Sequence, residues 1–531
     1  ALGLAKEDVR TITPDVGGGF GAKNGVYPEE ILVGWAAKKL GYPVRWTETR
    51  SENMLGMGHG RGQRQVAKMG GTRDGRITAY RLEVLQDSGA YACIGAVLPI
   101  MTRMMTGGVY DIANIEYNSY SLVTNTTPME AYRGAGRPEA TAAIERTIEM
   151  FAQACGLDST EVRRKNYIKP SAFPLTTSMG AAYDSGEYEK ALDMALSASG
   201  YQALRAEQKA RRDRGDVVQL GIGVASYVET TNPMGSGEYG AVEITNDGGA
   251  IVRTGSSSHG QGHHTSWAMI VSQKTGIPMD KIEFRFGDTD DIERGNGTGG
   301  SRSLQVGGTA AQMAAENVIE IARQKAADLL EAAPEDVVLD AATGAFHVVG
   351  SPRPSKTWAE IAIASPVALF AEADFTPEGA TFPFGTHVSV VEVDTETGSV
   401  AIVRHIACDD AGTILNPLIV DGQVHGGVAQ GIAQALLEEV RYDDGGNPIT
   451  SNLADYAFIT AAELPSFERI PMETPTPRNP LGAKGIGEAG TIGATPAVHN
   501  AVIDAVHHLG VQHIDMPCTA NRVWAALQSV R

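Results

Sequence analysis

Glu488 stands in Lys484-Gly-Ile-Gly-Glu-Ala-Gly490, flanked by Gly487 and Ala489, with Lys484 one turn back. If the fold encloses this loop, Glu488 is a carboxylate with chemistry to do; if not, it is a surface turn acid, since charged residues mostly face water. Both readings stand at this point. Three further glycine-rich segments each carry side chains able to bind a ligand: Gln261 in Gly255-Ser-Ser-Ser-His-Gly-Gln-Gly-His-His264, Ser301, Arg302 and Ser303 in Gly295-Asn-Gly-Thr-Gly-Gly-Ser-Arg-Ser303, and Gln430 in Gln423-Val-His-Gly-Gly-Val-Ala-Gln-Gly431. Each is read as a loop opening a helix, where free N–H groups and the positive dipole end suit phosphate oxygens. Together they fit a phosphorylated cofactor, although any one of them alone is more simply a turn.

Two dinucleotide readings compete. Gly485-Ile-Gly487-Glu-Ala-Gly490 is a literal GxGxxG, but a proline-rich stretch at 471–480 precedes it where the fingerprint needs a strand. Gly17, Gly19 and Ala22 form a GxGxxA between an expected strand at 9–16 and an expected helix, with Glu48 on a following strand, which keeps a nicotinamide or flavin site open. There is no GxxxxGK[ST] loop, and the twelve histidines include no HExxH pair.

The elements that must position these residues form a mixed α+β arrangement of several subdomains. Pro28, the Glu29–Glu30 pair, Lys38–Lys39 and Gly41 mark one helix. Alternation predicts strands over 43–50, 76–91 and 115–125. Ala131-Tyr-Arg-Gly-Ala-Gly-Arg-Pro138 then opens a helix closed by Gly156. The charged run at 203–216 reads as a solvated helix and a subdomain boundary. Beyond it come a strand at 250–254, an Ala-rich helix ending near 332, and a last major helix capped by Thr495 and Pro496 and ending at Gly510.

At 531 residues the chain exceeds one compact core, and 62 glycines suit close backbone approach to a large ligand. A net charge of −19 opposes a nucleic-acid or anionic-membrane surface. Four scattered cysteines support neither a zinc ribbon nor an iron–sulfur cluster, and with no signal-peptide pattern or membrane-length apolar run the expectation is a cytoplasmic protein.

Taken together, the loops resemble the large, molybdenum-binding subunit of the xanthine oxidase family of molybdenum hydroxylases. The likeness rests on Asp15-Val-Gly-Gly-Gly-Phe-Gly-Ala-Lys23, Ala131-Tyr-Arg-Gly-Ala-Gly-Arg137, His259-Gly-Gln-Gly262, Gly300-Ser-Arg-Ser303, Gly426-Gly-Val-Ala-Gln-Gly431 and Lys484-Gly-Ile-Gly-Glu488, in that order. The resemblance implies that Gly19, Phe20 and Gly21 lie over the metal and that Arg133 stands beside it. Gln261, Gly262, Gly300, Ser301, Arg302, Ser303, Gln430, Lys484 and Gly487 would hold the pterin and its dinucleotide tail, of the cytosine form. Glu488 becomes the general base, its pKa raised by burial towards the working pH. No side chain ligates molybdenum, because the pterin dithiolene does.

The implied reaction is oxidation of an aldehyde or N-heterocycle with water-derived oxygen. The family's copper-containing carbon monoxide oxidisers carry a cysteine directly after the loop arginine, where this chain has Gly134. Residues 1–200 and 217–531 are expected to be two pairs of cofactor-binding subdomains. The glycine loop at residue 17 comes far earlier than in the family, so a further polypeptide is expected to supply the N-terminal part, with iron–sulfur and FAD subunits as electron acceptors. A non-catalytic assembly subunit is the remaining alternative, opposed by the presence of both Arg133 and Glu488.

Overall fold

The computed structural model describes residues 2–530, in which helices alternate with two four-stranded sheets and smaller ones. Helix α1 (Pro28–Leu40) starts and stops on its signals, with Pro28 in the first turn and Gly41 left-handed at φ 77°. None of its residues is buried, and Leu32 and Trp35 are 59% and 47% exposed. Strand β1 (Gln63–Gly71) pairs antiparallel with β2 (Ile77–Asp87), which pairs in parallel with β3 (Asn114–Leu122). Tyr80, Leu82 and Val84 alternate inward along β2 to meet Ile144 and Ile148 of α2 (Arg137–Cys155), a helix closed by left-handed Gly156.

The second half contributes β4 (Val218–Val228), β5 (Glu238–Ile244), β6 (Ala250–Thr254), α3 (His263–Thr275), β7 (Ile282–Arg285), α4 (Thr309–Leu330), β8 (Leu369–Phe375), β9 (Phe384–Asp394), β10 (Val400–Asp410), α5 (Pro417–Leu436), β11 (Glu468–Met472) and α6 (Ala489–His507). One sheet runs β8-β5-β6-β7 and the other β11-β10-β9-β4. The core around α2 includes Ile222, Val224 and Val228 of β4 together with Phe384 and Val388 of β9, so it reaches across residues 200–217.

Small residues decide where α6 lies. A Cβ on Gly223 of β4 would meet the Ala497 carbonyl oxygen at 2.0 Å, and one on Gly493 would meet the His387 ring at 2.8 Å. Against α5, a Cβ on Gly431 would come within 2.8 Å of the Ala494 Cβ. With no side chains between them, α6 sinks onto both β4 and α5. Its first turn, and therefore Glu488, is planted beside the end of β4.

Several expected elements differ. Residues 9–16 form no strand, only a bridge between Ile12 and Asp288, because no neighbouring strand is present to pair with them. Residues 43–49 are also irregular: Thr49 Oγ1 accepts from the Glu52 N–H while the Glu52 carboxylate accepts from the Thr49 N–H, a capping box that starts a short helix at Arg50 instead. The Gln423–Gly431 motif is not a loop but the middle of α5, whose start is set earlier by Asn416 accepting from the Ile419 N–H and by Pro417. Likewise α6 begins at Ala489, and Pro496 lies inside it. The charged helix Tyr201–Arg214 is docked rather than solvated, with Arg205 and Gln208 both reaching Asp504 at 2.9 and 2.6 Å.

Candidate active site

Four segments converge around Glu488. The loop before α2 brings Arg133 and the Gly134 N–H, α2 brings Arg137, the loop before a π-helical turn at Ser303–Gly308 brings Ser301, and α5 brings Gln423 and Gln430. Glu488 is the cap residue of α6, and its side chain is 15% exposed. Its Oε1 accepts from the Gly134 N–H at 2.7 Å, while Oε2 accepts from Arg137 Nη2 at 3.0 Å and from Ser301 Oγ at 2.7 Å. A carboxylate offers about four lone-pair sites. Oε2 is thus filled and Oε1 retains capacity.

Burial alone would push the Glu488 carboxyl up. The Arg137 guanidinium, the Ser301 hydroxyl and the Gly134 N–H outweigh it and hold the group below its ordinary value. This corrects the expectation of a raised pKa: Glu488 is enclosed but ionised. The raised acid is Glu229, the residue immediately after β4, which the sequence reading missed. Fully buried, it is pushed well above the ordinary range by desolvation and by the Glu488 charge, against the pull of Arg137. Arg137 Nη2 lies 3.4 Å from Glu229 Oε1, so one guanidinium serves both acids. The available signal was a Glu directly after a strand of buried residues, too common a pattern to single out.

Arg133 is 6% exposed and fully engaged. Nε donates to the Gly487 carbonyl at 2.5 Å, Nη1 to Gln430 Oε1 at 3.1 Å and Nη2 to the Gln423 carbonyl at 3.0 Å. Desolvation lowers its pKa while Glu488 opposes this. Phe20 caps this corner, its ring centroid 5.4 Å from the Arg133 guanidinium carbon, held at φ 51° on a loop in which Gly21 lies so close to the Ala131 carbonyl that a Cβ would stand 2.3 Å from its oxygen. Gly19 approaches His259, beside Gln261. Gln261 Oε1 accepts from the His259 N–H, and left-handed Gly262 caps α3.

Left-handed Gly300 and Ser301 bend the next loop, Ser303 Oγ meets Thr298 Oγ1 at 3.1 Å, and Arg302 donates to the carbonyls of Asn296 and Gly297 while its Nε is buried without a partner. Lys484 is not brought to this surface. Its Nζ pairs with Asp410 at 2.8 Å, both side chains fully buried, over the Phe384 ring. A cavity of about 850 Å³ lies alongside, lined by Leu304 next to Ser303, by Ala483 next to Lys484, and by Gln312, Ile414 and Pro480.

These donors fit a group that is anionic and carries its own metal ligands. Among the described residues there is no cluster of His, Cys, Asp or Glu able to hold a metal ion. What the site offers instead is amides, hydroxyls, backbone N–H groups and an unpaired Arg302 Nε. The first glycine loop, in turn, follows no strand, so it lacks the context of a nicotinamide or flavin fingerprint.

Comparison with known proteins agrees. Residues 1–167 and 194–465 each match a molybdopterin cofactor-binding domain, which makes this a molybdopterin-binding protein. The chain is 38% identical to the carbon monoxide dehydrogenase large chain of Hydrogenophaga pseudoflava, spanning 99% of this chain and 68% of the relative. It is 34% identical to the nicotine 6-hydroxylase large subunit of Paenarthrobacter nicotinovorans, over 100% and 67%. The structure of quinoline 2-oxidoreductase from Pseudomonas putida 86 superposes with a TM-score of 0.91 at 35% identity, over 98% of this chain and 69% of that one. The protein belongs to the xanthine oxidase family of molybdenum hydroxylases, as a chain of the molybdenum-binding large-subunit type.

Proposed function

We propose that this chain carries the catalytic site for hydroxylation of an aldehyde or N-heterocyclic carbon, with Glu488 as general base. The observation that supports this best is an ionised carboxylate, pinned by Gly134, Arg137 and Ser301, with one oxygen still able to take a proton. When bound, the molybdenum–pterin would supply the two-electron redox chemistry, held by the residues named below. Overall, R–H and water give R–OH, two electrons and two protons. Glu488 takes one of those protons onto Oε1 as the oxygen becomes nucleophilic. Arg133, held on three sides, fixes the Gly487 carbonyl and the Gln430 amide, and so orients the wall of the site.

Gly19, Phe20 and Gly21 would close one side of the pterin, while Gln261, Gly262, Gly300 to Ser303, Gln430 and Gly487 would hold it. The cavity beside Ser303 is within the usual range of cofactor sites, about 300–1,000 Å³, and suits a dinucleotide tail such as the cytosine form. Lys484 acts from behind, through Asp410. A carbon monoxide reading, favoured by the name of one relative, is opposed at Gly134. That residue has φ 95°, and a Cβ there would lie 2.7 Å from Pro138 Cγ, so a cysteine does not fit this backbone.

The two released electrons need an acceptor, and among the described residues no cysteine belongs to a cluster able to hold a metal, which supports separate iron–sulfur and FAD subunits. The exposed apolar side of α1, with Leu32 and Trp35, suits coverage by further protein. Free thiols suit a reducing, cytoplasmic setting. The test is metal and nucleotide analysis of the purified complex, with turnover of aldehydes, pyridines and purines using an artificial acceptor. About one molybdenum and one pterin nucleotide per chain, with turnover of one such class, is expected; carbon monoxide as the only oxidised substrate would overturn the reading.

A further inference from the structure

We propose that Glu229 is a positioning residue of this site, a buried acid that keeps its proton at neutral pH and, with Arg137 and Ser301 as shared partners, fixes Glu488 as the ionised member of a carboxyl pair. The proposal rests on the reading of Glu488 as base. Its geometry is that of two acids on one set of donors. Arg137 Nη2 stands 3.0 Å from Glu488 Oε2 and 3.4 Å from Glu229 Oε1. Ser301 Oγ stands 2.7 and 3.4 Å from the same two oxygens. Glu229 is 0% exposed, and its Oε2 has no other partner.

Charge decides the protonation. Arg137 is the cation in ion-pair contact with both carboxyls; with both ionised, two charges would share one guanidinium and the fully buried Glu229 would have no second contact, so the pair retains one proton. Other charged or titratable groups near Glu229 include Arg133, from the loop before α2, and Tyr227 at the end of β4, which is hydrogen-bonded to Asp409 and through it to His387. Arg133 is a second cation nearby, but its N–H groups go to Gly487, Gln423 and Gln430 and none reaches Glu229, and Tyr227 donates its hydroxyl hydrogen bond to Asp409. The proton settles on the acid without solvent access, in line with Glu229 being pushed well up and Glu488 held down. With its proton in place, Glu229 leaves Arg137 to Glu488. Once ionised, it would compete for the same guanidinium and repel the base.

The test compares Glu229→Gln, which keeps shape and a donor but cannot ionise, with Glu229→Leu, which keeps neither. Infrared difference spectroscopy of the intact complex at pH 7 should show the C=O stretch of a protonated buried carboxylic acid, lost in both variants. Glu229→Leu should lower kcat by about 10- to 100-fold through misplacement of the base. Glu229→Gln should recover most of that loss, and its pH profile should lack the alkaline limb that Glu229 ionisation gives the parent enzyme.

Persistence of the acid band in Glu229→Gln, parental turnover in Glu229→Leu, or no rescue by Gln would each overturn the proposal. Glu488→Gln, measured in parallel, separates the two claims. If it keeps turnover, the base reading fails, while the infrared band still decides whether Glu229 holds the proton.

Discussion

Lys484→Met leaves Asp410 as a buried carboxylate without its cation, and the structure sets the size of the effect. Both partners are fully buried at 2.8 Å, so no water replaces the lost ammonium. Removing one member of such a pair costs about 3–5 kcal/mol. Methionine retains most of the hydrocarbon stem and removes the ammonium that pairs with Asp410 and lies over Phe384, so the loss is electrostatic rather than a packing defect. The pH dependence has a definite sign. Burial already pushes Asp410 up against the pull of Lys484, and without that pull it rises further. Below the ordinary aspartate range Asp410 is protonated in both states and the variant suffers little; as pH rises from there to the raised value stability is lost, and above it the deficit is full.

Denaturant unfolding of parent and variant, at pH 5 and pH 8, should therefore show a deficit that is larger at pH 8. The double variant Lys484→Met with Asp410→Asn should recover much of it. Because Lys484 anchors the loop that ends in Glu488, molybdenum retention should fall along with stability. A deficit below about 1 kcal/mol at pH 8, or one independent of pH, would refute the reasoning.

Three other outcomes follow from the same contacts. Arg137→Met removes the main cation holding Glu488 down, so the acid limb of the kcat/KM profile should move to higher pH; in the parent, the base stays active to pH values below the ordinary glutamate range. Gly431→Leu drives a side chain into Ala494 between α5 and α6 and should lower stability by about 1–3 kcal/mol, measured as a fall in the unfolding midpoint. Gly134→Cys should lose turnover through backbone strain and gain no carbon monoxide oxidation even with copper added, as read by dye reduction.

The sequence showed most plainly the features that depend on local rules. Pro28 with Gly41, and Gly156 behind its helix, delimited elements that the structure reproduces to within a residue. It failed where tertiary neighbours decide. The glycines of Gln423–Gly431 look like a loop from composition, yet Gly427 and Gly431 serve helix-to-helix contact in α5, and only knowledge of Gly490 and Ala494 across the interface explains them. The stretch at 9–16 has strand-like residues but pairs only through a short bridge to residues 287–289.

At the site, the motifs brought Arg133, Ser301, Gln430, Gly487 and Glu488 together, whereas Lys484 turned away into an ion pair. Glu229 and Arg137 were invisible as a unit because they are 92 residues apart and meet only through the docking of α2 against the end of β4. The direction of the Glu488 shift failed for the same reason. Burial was foreseeable from small neighbours, but the donors that outweigh it come from two distant segments, one with Gly134 and Arg137 and the other with Ser301.

The most direct test of the central claim is turnover per bound molybdenum for Glu488→Gln in the complete complex. Because the glutamine keeps the shape of the site but cannot take a proton, molybdenum and pterin content should match the parent while turnover per metal falls about 100-fold or more. Near-parental turnover at full molybdenum occupancy would contradict the account.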